Sequence, residues 1–141
     1  QMCIRDSPSP IHELGRLLDI RLAQRDNNAA VGLLTRAWSA GDGQAELLAE
    51  SAALLERAVQ RHPHDDHSWW TLAKVRLAQR KADSAAVAAS RALQANPSWR
   101  SLPPATRQAL GVPSELMAEL LENASFRRLW NSLPATPHAS P

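Results

Sequence analysis

The chain is poor in cysteine, in glycine and in β-branched residues, and it has no long apolar run. Its 141 residues include one Cys and five Gly. A single Cys excludes an internal disulfide framework and a cysteine-rich zinc site. No apolar run approaches the roughly 18 residues that a membrane span needs, and no segment has the pattern of a signal peptide. Ala and Leu far outnumber Val and Ile, which disfavours a sheet. The composition predicts an all-α fold.

A large excess of charge of one sign is also missing. Lys and Arg total 16 against 14 Asp and Glu, so the formal net charge is +2. Nucleic-acid binding modules are normally strongly basic on one face, so we do not expect a nucleic-acid partner. Residues 21–30 have the local look of a helix-turn-helix, and this keeps such a binder as the less favoured alternative.

Residues 1–7 resemble one translated reading frame of the transposon-end adapter used to prepare sequencing libraries. A segment of that origin is a fusion scar and is set aside in fold reasoning. The resemblance implies that Met2 is not an initiator and that Cys3 carries no redox or metal chemistry. We therefore expect a fragment of a longer bacterial protein from a metagenomic library, with its compartment, cytoplasmic or periplasmic, left open.

Proline, glycine and Asp–Asn clusters divide the rest of the chain into helix-length segments. The predicted helices are 10–25, a second around 30–38, 44–61, 66–80, 82–95, a short one ending near 111, and 114–131. The break between the first two is placed at Asp26-Asn27-Asn28. Leu14, Leu17, Leu18 and Leu22 are expected on one apolar face of the first helix, which would be buried. Residues 134–141 are rich in Pro, Ser and Ala and are expected to be disordered.

Internal similarity is the strongest signal in the chain. Residues 75–80 repeat residues 20–25 almost letter for letter, at an offset of 55. The pattern of an apolar pair followed by proline recurs at 58–63 and 92–97, at an offset of 34. Helix pairs at a fixed period are typical of a stacked solenoid, in which each pair buries its apolar face against its neighbours.

Residues 66–97 resemble the tetratricopeptide repeat, a unit of two antiparallel helices. The matching positions are Trp69, Leu72, Ala73, Ala85, Ala92, Leu93 and Pro97. The family glycine between the helices is replaced by Arg80. The resemblance implies an antiparallel helix-pair solenoid over residues 8–97. We expect residues 98–133 to cap it with these apolar side chains: Leu116, Met117, Leu120, Leu121, Phe126 and Trp130.

The same resemblance implies a concave groove that binds a peptide or protein. It directs Trp69 toward the partner helix and Trp70 into the groove, because neighbours on a helix are about 100° apart. The candidate partner-binding residues are His67, Trp70, Lys74, Leu77, His12 and Arg16. A semi-exposed aromatic beside a cation is a plausible peptide anchor. The alternative is that a neighbouring segment covers Trp70 and makes it part of the core.

Residues suited to catalysis or metal binding are few. His62, His64, Asp65, Asp66 and His67 are the one cluster of metal-ligand types, but their spacing straddles a helix start, so an exposed turn with an aspartate cap is the favoured interpretation. No nucleophile motif or phosphate-binding loop is present. We therefore predict a non-enzymatic interaction scaffold without cofactor, its oligomeric state left open. The alternative is a repeat appendage of an upstream enzyme or membrane-bound assembly factor.

Overall fold

The computed structural model describes residues 10–135, which form helices and no β-strand. The all-α prediction is confirmed. The α-helices are α1 (Pro10–Ser39), α2 (Gln44–Arg61), α3 (Asp66–Ala78), α4 (Ala82–Ala95), α5 (Pro104–Ala109), α6 (Ser114–Leu120) and α7 (Ala124–Ser132), with a 3₁₀ helix (Pro97–Ser101) between α4 and α5. The adapter-like residues 1–7 and most of the tail predicted to be disordered, residues 136–141, lie outside the described residues.

Helices α1 and α2 form the first antiparallel hairpin. Gly43 closes the connecting turn with a φ of +84°, a conformation that favours glycine. Ser51 is fully buried, and its hydroxyl donates to the Ala30 carbonyl at 3.0 Å. Because Ser51 and Ala30 are both small, the two helix backbones come close enough for this bond across the interface.

The predicted break at Asp26-Asn27-Asn28 is wrong, since α1 runs through it without interruption. Asp and Asn are poorer helix formers than Ala by only about 0.5–0.7 kcal/mol each. Contacts with α2 outweigh that deficit: Ala23 and Ala30, on either side of the cluster, are fully buried, and an Asp26 oxygen lies 3.6 Å from the Arg57 guanidinium. The helix-turn-helix interpretation of residues 21–30 is wrong for the same reason, because no turn occurs there.

The N-terminal third of α1 extends beyond its partner helix. Helix α1 has 30 residues and α2 has 18, a difference of about 18 Å in length. The expectation that Leu14, Leu17 and Leu18 are buried is therefore wrong; Leu14 is 69% exposed. At about 100° per residue, Leu14 lies about 160° around the helix from the buried Leu34. The leucine stripe thus points away from the face that α2 covers.

Helices α3 and α4 form the second hairpin, and the turn between them depends on Arg80. Arg80 adopts a φ of +62°, the left-handed conformation normally taken by glycine. The Lys81 N–H donates to the Arg76 carbonyl at 2.8 Å, which closes the end of α3 as a Schellman motif. The residue that replaces the glycine of the repeat pattern therefore adopts the backbone conformation for which glycine is best suited.

The segment after α4 folds back onto the second hairpin. The 3₁₀ helix, α6 and α7 all contact α4. The predicted single helix over 114–131 is two helices, because the Asn123 side chain accepts from the Phe126 N–H at 3.0 Å and starts α7. Of the apolar side chains expected to cap the repeats, all but the half-buried Leu121 are buried.

Two arginines hold the end of this segment together. The Arg100 and Arg107 guanidinium carbons lie 4.7 and 5.1 Å from the centre of the Trp130 ring, within the range of cation–π attraction. Arg100 Nε donates to the Trp130 carbonyl at 3.0 Å, and Arg107 donates to the Leu102 carbonyl at 2.7 Å. Together these contacts connect the 3₁₀ helix and α5 to α7.

We expect Arg80→Gly to raise the free energy of unfolding by about 1 kcal/mol, because it removes the steric cost of a side chain in the left-handed conformation. Chemical denaturation of both proteins measures the difference. Arg61→Gly, within the last turn of α2, is the control and should destabilise by a similar amount. If Arg80→Gly instead lowers the free energy of unfolding, the contacts of the arginine side chain stabilise the fold by more than its left-handed backbone conformation destabilises it.

Candidate functional site

Four of the predicted partner-binding residues lie along α3, and two lie near the start of α1. His67, Trp70, Lys74 and Leu77 recur at helical spacing on α3. Of these, the structure brings Lys74 and Leu77 together as walls of one pocket. His12 and Arg16 lie on the N-terminal third of α1 and do not line that pocket; Arg16 forms an ion pair with Glu13 at 2.5 Å.

Of the two alternatives for Trp70, the groove position is wrong and the core position is confirmed, because Trp70 is 2% exposed. Trp99 of the 3₁₀ helix covers it, with ring centres 5.6 Å apart in an edge-to-face arrangement. The His67 ring lies 5.5 Å from Trp99 in a similar geometry. Trp99 therefore fills the part of the α3 face, around His67 and Trp70, that was expected to receive a ligand.

Trp69 is less buried than its neighbour. Its indole N–H donates to the Pro63 carbonyl at 2.8 Å, which connects α3 to the turn that precedes it. Its ring lines surface depressions beside Arg91 and Ala88 of α4, so it lies toward its partner helix as expected. It packs at the edge of the core, while Trp70 occupies the interior.

The His–Asp cluster at the start of α3 is a hydrogen-bonding site. Asp65 does not cap the helix through its side chain; it accepts from the Ser68 hydroxyl at 2.6 Å instead. Asp66 accepts from the Trp99 indole N–H and, at 3.0 Å, from the Asn96 amide. Within residues 10–135, no group of three or more His, Cys, Asp or Glu is placed to hold a metal ion.

The environment of Asp66 favours its ionised form. Burial by itself raises the pKa of Asp66, but the hydrogen bonds from Trp99 and Asn96, with the nearby His67, outweigh burial and leave the pKa below its usual value of 3.8. The Asp66 carboxylate thus holds Trp99 over Trp70 through charge-assisted hydrogen bonds.

An open pocket of about 270 Å³ lies where the last turns of α1 and α3 meet the start of α6. Its walls are Trp38, Lys74, Leu77, Ala78, Pro113, Glu115, Leu116 and Glu119. Trp38 is 62% exposed. Two wider depressions elsewhere on the described surface are lined mainly by polar side chains. The lining of the Trp38 pocket therefore combines apolar side chains, an exposed indole and charges of both signs.

Lys74 packs against the segment that links α5 to α6. Gly111 has a φ of +95°, and a Cβ on it would lie 3.4 Å from the Lys74 ammonium nitrogen. Burial lowers the pKa of Lys74. Among residues 10–135, no carboxylate oxygen lies within 4.0 Å of this ammonium. The pocket thus contains a partly desolvated cation that forms no ion pair with the two glutamates that also line it.

Sequence reasoning did not assign Trp38 and Trp99 to these positions. Trp38 follows the buried Ala37, and neighbours on a helix are about 100° apart, so this spacing already indicated that Trp38 lies off the core stripe. The signal at Trp99 is weaker: Asn96 and Pro97 mark a turn, and an aromatic residue two positions later can fold back on the preceding helices.

Comparison of the chain with family models, with curated proteins and with solved structures finds no match. None of the helices within residues 10–135 combines the length and hydropathy that crossing a membrane requires.

We expect Trp70→Ala to lower the free energy of unfolding by about 3–5 kcal/mol, because it leaves a large cavity under Trp99. Trp69→Ala should lower the free energy of unfolding by about half as much, since the Trp69 ring is only partly buried. Urea denaturation of the two variants compares them directly. A larger loss for Trp69→Ala would contradict the assignment of Trp70 to the interior.

Asp66→Asn should lower the free energy of unfolding at neutral pH by about 1 kcal/mol, since it weakens the acceptor of two hydrogen bonds at a partly exposed site. A carboxylate whose pKa is lowered by folding stabilises the fold at pH values above its pKa in the unfolded chain. This stabilisation is lost as the pH falls through the pKa of the folded state. The difference from the unmutated chain should therefore narrow below about pH 4. Denaturation across pH tests this, with Asp42→Asn in the exposed α1–α2 turn as control.

Proposed function

We propose that the chain is a non-enzymatic helical scaffold of the tetratricopeptide type, which binds a peptide segment of a protein partner at the Trp38 pocket. The observation that carries this proposal is the exposed indole of Trp38, which lines one pocket together with the apolar side chains of Leu77 and Leu116. Tryptophan is one of the residues that most often contribute a large share of the binding energy of a protein interface.

The helix contacts support a repeat architecture. Each hairpin packs mainly within itself, α2 contacts α3, and α1 makes a smaller contact with α3. This is the order expected of two stacked antiparallel pairs. The small residues Ala73, Ala85 and Ala92, which the repeat pattern places at helix crossings, are fully buried. In such a stack the first helices of successive pairs share one face, and Trp38 and Leu77 lie at the ends of those helices.

The size of the pocket supports a peptide ligand. Small-molecule sites usually enclose about 300–1,000 Å³ and bury most of the ligand. A pocket of about 270 Å³ that is open to solvent suits one anchoring side chain, with the rest of the peptide lying on the surrounding surface. An appendage of an upstream enzyme or membrane-bound factor would use the pocket in the same way, so that alternative changes the partner and leaves the site unaltered.

The test is a peptide-display selection on the full 141-residue chain, followed by binding measurements with the enriched peptides. Trp38→Ala should weaken their binding by at least about tenfold, because it removes the largest apolar surface of the pocket. The melting temperature should change little, since Trp38 is mostly exposed. Val87→Ala, at an exposed apolar position on α4, is the control and should bind normally. A selection that enriches no peptide, or peptides that bind Trp38→Ala equally well, would contradict the proposal.

A further inference from the structure

The walls of the Trp38 pocket carry charges of both signs. Lys74 belongs to the α3 wall, and its ammonium nitrogen lies 3.4 Å from the position that a Cβ on Gly111 would take. Glu115 and Glu119 line the pocket from α6, and both are exposed. Because they are four residues apart, their carboxylates share one helix face and repel each other.

The charges of this pocket are not neutralised within the described part of the chain. The ion pairs found between residues 10 and 135 join Arg16 to Glu13, Arg57 to Asp26, and Arg76 to Glu56. None of them involves Lys74 or the two α6 glutamates. The lowered pKa of Lys74 has burial as its cause, without an opposing contribution from either glutamate. The α3 and α6 walls of the pocket therefore present separate charges to a ligand.

We propose that the Trp38 pocket receives an arginine or lysine side chain of the partner peptide, with its cationic group between Glu115 and Glu119. This inference rests on the proposed peptide-binding function and specifies its ligand. The long aliphatic stem of a basic side chain can cover apolar surface while its head stays charged. Leu77 and Leu116 supply such an apolar surface in the lining of the pocket. The ring of Trp38 adds cation–π attraction at the same place.

Lys74 sets the orientation of the ligand. Its ammonium group repels a second cation near the α3 wall, so the basic head is directed toward α6. The same ammonium can donate to a backbone carbonyl of the peptide, which would supply the hydrogen bond that no described residue provides. The pocket thus selects a basic side chain and disfavours an acidic one at the α6 rim.

The test uses three capped tetrapeptides that differ only at the third residue, which is arginine, its neutral isostere citrulline, or glutamate. Binding to the full ¹⁵N-labelled chain is followed by the indole N–H resonance of Trp38, assigned with Trp38→Ala. We expect the arginine peptide to bind at least about tenfold more tightly than the citrulline peptide. The advantage should shrink as salt shortens the Debye length from about 10 Å to about 3 Å.

The double variant Glu115→Gln/Glu119→Gln should reduce binding of the arginine peptide to the level of the citrulline peptide. The matched control is Glu46→Gln/Glu50→Gln, which removes an exposed pair of the same spacing from α2 and should leave binding unchanged.

The outcomes separate this inference from the proposed function. Equal binding of arginine and citrulline peptides, or an unchanged preference in the α6 double variant, overturns the basic-side-chain assignment. If binding of the peptides from the display selection is then still weakened by Trp38→Ala, the peptide-binding proposal stands without the basic-side-chain assignment. A failure of every peptide to shift the Trp38 resonance also overturns the assignment, and the display selection then decides the wider proposal independently.

Discussion

The indole of Trp99 donates to the Asp66 carboxylate and packs edge-to-face on Trp70, and the path of the chain after the second hairpin depends on this contact. Without it, the 3₁₀ helix would lose its aromatic contact with α3, and the hydrogen bond from Asn96 to Asp66 and the packing on α4 would remain to hold the segment. The contact has two parts that support each other. Aromatic packing buries the ring, and the hydrogen bonds that Asp66 receives keep its carboxylate charged in a partly buried place.

The same contact explains why the two ends of the α3 face differ. At the N-terminal end, Trp99 covers Trp70 and lies beside His67. At the C-terminal end, the link between α5 and α6 passes beside Lys74 at Gly111 and leaves Leu77 as one wall of the open pocket. Of the four residues in this stripe only Trp70 is buried, although their spacing is uniform along the sequence.

This division limits what could be predicted from the sequence. The bounds of α2 and α4 were predictable because the apolar period and the stop signals at Pro63 and Asn96-Pro97 agree. The continuity of α1 was not, because Asp26 and its neighbours signal a break locally and only the packing of α2 overrules it. At the site, Lys74 and Leu77 were predicted from their place in the repeat pattern. Whether Trp70 lies in a groove or in the core stayed open, because its exposure depends on Trp99, 29 residues later, which no local pattern connects to it.

The pocket forms because the chain after α4 does not continue as a long helix. A further long helix packed on α3 and α4 would lie over Leu77 and bury it. Pro103 and Pro104 prevent a helix from running through that position, since proline removes a backbone donor and restricts the residue before it. The chain instead makes short helices joined at Gly111, whose positive φ lets it turn back beside Lys74. Trp38 and Lys74 consequently line an open pocket that α6 borders, and apolar side chains beside charges of both signs are the chemical result.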